Sequence, residues 1–185
     1  MTLSADTRPN DLLLLAGKVI AVFMQIVMGI AAAGLAIAAV VFTVFRSQVA
    51  AELASEMGAQ GRDFPFNSAV SVMLLALAAV ALLFVFFGKL RKIIATVGEG
   101  DPFAPDNADR LSAMAFLMLG VQLLMLPTAA IGMALTDWAD EVESANVSID
   151  AGLDLTGILL VVILFILARV FRHGAAMRED LEGTV

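Results

Sequence analysis

Four long apolar stretches dominate this chain, and they constrain its fold more than any other feature. They run from about Val19 to Phe45, Ser68 to Phe87, Leu111 to Leu135 and Leu153 to Phe171. A helix needs about 20 apolar residues to cross the roughly 30 Å hydrocarbon core of a bilayer. Lipid offers no hydrogen bonds to a bare backbone, so a single apolar stretch can cross it only as a helix. Apolar residues make up 61% of the sequence and charged residues 16%, far from the balance of a soluble domain. The expected fold is all-α, an integral membrane four-helix bundle forming a single transmembrane domain over residues 1–185.

The first apolar run starts earlier, at Leu12, and Lys18 interrupts it. Leu12 to Gly17 is read as a lead-in turn at the headgroups, with the span beginning at Val19. It is too long for a signal-peptide core. Between spans lie outer segments 46–67 and 136–152, a loop over 88–110 and a tail over 172–185. Val49, Leu53 and Met57 recur at helical spacing and predict a short surface helix. The run Gly98-Glu99-Gly100-Asp101-Pro102-Phe103-Ala104-Pro105 is a loop signal. Asp106 or Asn107 is expected to cap the third span, and Pro127 to kink it.

Basic residues orient the chain. Arg8, Lys18, Lys89, Arg91, Lys92, Arg110, Arg169, Arg172 and Arg178 fall in one set of segments, and only Arg46 and Arg62 in the other. The positive-inside rule then places both termini and the 88–110 loop in the cytoplasm. The 136–152 connection carries Asp137, Asp140, Glu141, Glu143 and Asp150 with no Lys or Arg.

The same inventory narrows function. There is no cysteine and one histidine, His173, so thiol chemistry is excluded and histidine metal cages have little to build on. A net charge of −7 argues against direct nucleic-acid binding. No HExxH, GxSxG or Walker pattern occurs. The chain is expected to be no enzyme, with no catalytic, metal or cofactor-binding residues and no cofactor.

Three polar residues stand in or beside the spans: Gln25, Gln122 and Asp154. The two amides need partners in lipid, and the expected solution is a cross-helix hydrogen bond within the bundle, for instance between the two; a ligand-lining role is the alternative. Asp154 is read as a helix-start carboxylate, against a proton or cation site. Lys18 and Arg169 are read as snorkelling. Lys89, Arg91 and Lys92 set topology and meet anionic lipid, or dock an acidic partner. Small residues at four-residue spacing (Gly29 and Ala33, Ala32 and Ala36, Gly34 and Ala38) allow close helix approach, within the bundle or in a homo-oligomer.

The segment from Leu90 through Leu111 contains the pattern G-x-PF-x-x-x-N-x-x-RL, carried by Gly100, Pro102, Phe103, Asn107, Arg110 and Leu111. Together with the closing stretch from Phe165 to Val185, it resembles the bacterial four-span membrane family catalogued as domain of unknown function 2975, over about residues 15–185. The resemblance implies a multi-pass protein of the bacterial inner membrane. It also implies a neighbouring small helix-turn-helix regulator as partner, engaged through the cytoplasmic loop and tail. In a residue-level reading, Gly100 permits the turn, Pro102 stiffens it, Phe103 tucks under the bundle, Asn107 caps the next helix and Arg110 reaches the tail carboxylates. The leading expectation is therefore a regulatory or interaction protein in the lipid bilayer. The alternatives are an accessory subunit among other membrane subunits, and a small-ligand sensor or transporter with its site inside the bundle.

Overall fold

The computed structural model describes residues 9–56, 64–140 and 154–182. In chain order the helices are α1 (Pro9–Val44), α2 (Arg46–Glu56), α3 (Phe66–Gly98), α4 (Pro105–Asp140) and α5 (Leu155–Glu182). Four of them, all but α2, are long and apolar enough to cross a membrane. The chain is an all-helical, multi-pass membrane protein.

α1 runs unbroken through Lys18. The expected lead-in turn is therefore helix. The Leu-rich run before Lys18 favours helix, and an exposed lysine at a helix surface carries no penalty that would end it. α3, with 33 residues, is about 50 Å long and continues well past its apolar stretch, through Lys89, Arg91 and Lys92. α4 passes through Pro127 as one helix. The proline supplies no N–H to the carbonyl four residues back. One residue on, Thr128 Oγ1 donates to the Leu124 carbonyl at 2.7 Å.

The expected surface helix is α2, over Arg46–Glu56, set off from α1 at Phe45 alone. Met57, Gly58 and Gly61 lie outside the described residues, as do Glu141, Glu143 and Asp150 of the acidic connection.

Among the described residues, α1 packs on α3, α3 on α4 and α4 on α5. Neighbours are antiparallel. Gly17 meets Ile94 and Gly29 meets Phe84, while Phe116 meets Phe165. The start of α1, the α3–α4 loop and the end of α5 thus share one end of the molecule. The bundle is open, because no comparable seam joins α1 to α5. The tightest core is Ile93, Leu111, Met114, Ala115, Leu164 and Ala168, between α3, α4 and α5. Elsewhere large apolar side chains face outward; Leu13 is 75% exposed and Ile30 69%. A water-soluble protein does not carry that much bare apolar surface, and hydrocarbon is its natural solvent.

Candidate functional site

The helix-breaking residues between α3 and α4 build a compact knot at the shared end. α3 finishes in a Schellman motif. The Gly100 N–H donates to the Val97 carbonyl at 3.1 Å, and the Asp101 N–H to the Thr96 carbonyl at 3.0 Å. This pattern needs a left-handed residue after the helix cap. Gly100 supplies it at φ +86°, the one positive φ among the described residues.

Five residues after Gly100, Pro105 opens α4, where its missing N–H costs nothing. Asp106 and Asn107 therefore stand inside the first turn rather than capping it. Asn107 has a different task. It is fully buried, and its Nδ2 donates to Thr96 Oγ1 at 2.7 Å and to the Pro102 carbonyl at 3.0 Å. Its Oδ1 accepts from Arg110 Nη1 at 2.8 Å. One side chain thus ties the end of α3, the loop and the start of α4. Such a fully satisfied buried polar group specifies one arrangement.

Phe103 folds towards α5. Its ring centroid lies 5.5 Å from that of Phe171, and its edge occupies the space beside Gly174. A Cβ at position 174 would stand 2.6 Å from Phe103 Cδ1, so Gly174 is a socket for the ring. Leu111 lies beneath, in the core.

Charge fastens the tail with a polarity opposite to the expected one. Arg110 stays on its own helix, pairing with Asp106 at 3.0 Å. The tail contributes the cations instead. Arg178 pairs with Asp101 of the loop, and Arg172 with Asp109 at 3.4 Å. The physical reason is reach: Arg110 is held by Asn107 and Asp106, while α5 continues straight past the loop and presents its arginines to it. Thr96, Asp101, Asp109, Arg172, Gly174 and Arg178 all take part in the knot, and sequence reasoning did not give them these roles. Arg178, one of several charged residues near the end of α5, had no distinguishing local signal; Gly174 had one, as a glycine inside a helix.

The intramembrane polar residues do not come together. Gln25 lies in the α1–α3 seam against Gly88, where a Cβ would be 3.1 Å from its Nε2. Gln122 lies in the α4–α5 seam and donates to the Asp154 carbonyl at 2.7 Å. Gln122 thus makes the expected cross-helix bond, but not with Gln25, because the helices that carry the two amides face different neighbours. Asp154 caps α5: its carboxylate accepts from the Thr156 and Gly157 N–H groups at 2.9 and 3.0 Å. With both oxygens so engaged, it acts as a helix-start carboxylate. Gly157 leaves room for this arrangement, since a Cβ there would lie 2.7 Å from Gln122 Cδ.

At the opposite end, Phe42, Phe64, Phe66 and Trp138 join α1, the entry to α3 and α4 through edge and tilted ring contacts. Arg46 stacks over Phe66 at 5.3 Å. Lys18, Arg169 and His173 are exposed. Among the described residues, no three His, Asp or Glu side chains are grouped as metal ligands.

A family model described as "Protein of unknown function (DUF2975)" matches residues 52–185. The match covers α3, α4, α5 and the whole knot, and it begins later than the residue 15 start read from sequence, leaving α1 outside. No curated protein matches, and no solved structure matches.

Proposed function

Given that the chain belongs to the DUF2975 family of unknown function, we propose that it is a non-enzymatic interaction protein of a bacterial cytoplasmic membrane. Its loop and tail would act as one cytoplasmic surface that engages a soluble protein partner. The supporting observation is the attachment of two separate segments to each other. Phe103 seated against Gly174, together with the Arg178–Asp101 and Arg172–Asp109 pairs, presents the α3–α4 loop and the end of α5 as a unit. Around that unit the surface mixes exposed charge with exposed Met177 and Leu181, a composition suited to protein contact.

The cytoplasmic placement rests on the nine-to-two distribution of Lys and Arg and the positive-inside rule. Tags on the two ends should report one compartment, the cytoplasm. The resemblance implies a small helix-turn-helix regulator as partner. The test is purification of the full-length protein from native membranes with identification of what travels with it. A soluble protein should co-purify, and Phe103→Ala with Arg110→Ala should reduce its recovery. Unchanged recovery from the double variant would count against this reading.

A second reading, an accessory subunit packed sideways in a membrane assembly, draws on α1. A side chain at Gly34 would meet nothing within 4 Å, and Ile30 and Ile37 beside it are exposed. Migration of the mildly solubilised protein as a lone chain of about 19 kDa would weigh against it.

A further inference from the structure

Among the described residues, the cations at the shared end divide into two groups. Arg110, Arg172 and Arg178 each pair with an aspartate. Lys18, Lys89, Arg91, Lys92 and Arg169 make no ion pair with any described residue, and all but the half-buried Lys89 are exposed.

These five occupy one level of the bundle. Gly17 against Ile94 sets Lys18 beside Lys92. Thr96 with Asn107, and Leu82 with Gly120, place Arg91 opposite Ser112. Phe116 with Phe165, and Asp109 with Arg172, place Ser112 opposite Arg169. The neutralised arginines lie beyond this level. Arg178, nine residues after Arg169 in α5, is about 13 Å farther out. On the other side of the level the helix surfaces turn apolar and exposed, with Val19, Ile20 and Phe23 on α1 and Ile166 on α5. From Lys18 to Arg46, the next cation along α1 and α2, the rise is about 42 Å, the full thickness of a bilayer with its headgroups.

We propose that Lys18, Lys89, Arg91, Lys92 and Arg169 form a collar that binds the phosphate headgroups of anionic phospholipids. The collar lays unneutralised positive charge along the border of the apolar wall; on α1 exposed Leu12, Leu13 and Leu15 run on past Lys18, so that lysine reaches the headgroup layer along its own stem. Five cations without ion-pair partners among the described residues leave their charge to that layer, whereas Arg110 and Arg172 are neutralised by aspartates of α4 and Arg178 by one of the loop. A lysine or arginine near an anionic leaflet favours it by roughly 5-fold. The same chemistry would accept a free phosphate; the level and its apolar wall assign it to lipid. This inference is independent of the docking reading, since no collar residue belongs to the knot.

The test uses the full-length protein in nanodiscs made from equal amounts of phosphatidylcholine and phosphatidylglycerol, with retained lipid counted by native mass spectrometry after release. Wild-type protein should retain phosphatidylglycerol enriched about 5-fold or more, and high salt should reduce the enrichment. Replacing all five cations by Gln should return the ratio to that of the mixture, while Arg172→Gln with Arg178→Gln leaves it enriched. Should the fivefold variant fail to fold, Lys92→Gln and Arg169→Gln singly should each lower the enrichment. Equal retention of both lipids by the wild type overturns the proposal. So does enrichment that survives collar replacement, or loss of the bound phosphatidylglycerol to excess inorganic phosphate, which would assign a soluble anion.

Discussion

Replacing Asn107 by Ala should release the α3–α4 loop while leaving the four spans in place. The side chain is 0% exposed and makes three hydrogen bonds. The two to Thr96 and Pro102 are neutral; the one from the Arg110 guanidinium is charged and contributes more. Arg110 keeps Asp106, and Thr96 keeps its bond to the Ile93 carbonyl at 2.9 Å. The low end of each range therefore applies, about 0.5 kcal/mol for each neutral bond and about 1.5 kcal/mol for the charged one, and the sum is about 2.5 kcal/mol. If this energy holds the loop closed, its loss raises the population of the open loop roughly 70-fold. Hydrogen exchange on the full-length protein in nanodiscs reads that population directly. The informative amides are those of Gly100 and Asp101, whose bonds to Val97 and Thr96 terminate α3. They should exchange about 70 times faster in Asn107→Ala, while amides in the middle of α5 are unchanged. Asn107→Asp separates the parts. It keeps the acceptor for Arg110 but turns a carboxylate towards two oxygens, so the loop should open by a comparable factor. Protection of Gly100 and Asp101 altered by less than about 3-fold in a folded Asn107→Ala protein would refute the idea that this residue ties the loop.

Four further outcomes follow from the same geometry. Gly174→Ala should expel the Phe103 ring from its socket and raise proteolysis of the loop; in a Phe103→Ala background it should have little added effect, because neighbours that share a contact are not additive. Gly157→Ala should lower the thermal midpoint by a shift equivalent to about 2 kcal/mol, since the new methyl overlaps the Gln122 amide and crowds the Asp154 carboxylate. Gln122→Ala should cost less, about 1 kcal/mol, the usual scale of a hydrogen bond between membrane helices. Arg172→Gln should change thermal stability by under about 1 kcal/mol, because both it and Asp109 are largely exposed.

The glycines show how one residue type served two purposes. Small residues in the spans predict close backbone approach, and that is only part of what they do. Gly88 makes room for Gln25, Gly157 for Gln122 and Gly174 for Phe103, so each receives a large side chain from a neighbouring segment, a helix in the first two cases and the α3–α4 loop in the third. In the knot, the turn at Gly100 was legible from the linear motif because turn geometry is local. Asn107 was singled out, but its role was not. A cap and a buried three-way bridge both call for a short amide near a helix start, and only the position of Thr96 distinguishes them.

Helix number, the all-α class and the need for lipid were decided along the chain itself. A backbone in hydrocarbon must satisfy its own hydrogen bonds, and that demand acts on each apolar stretch separately, whatever its neighbours. The order of the seams, the separate partners of Gln25 and Gln122, and the pairing of tail arginines with loop aspartates were decided by tertiary structure. Each depends on how one helix is rotated and offset against another, a choice made by side chains far apart in sequence, which no local pattern encodes.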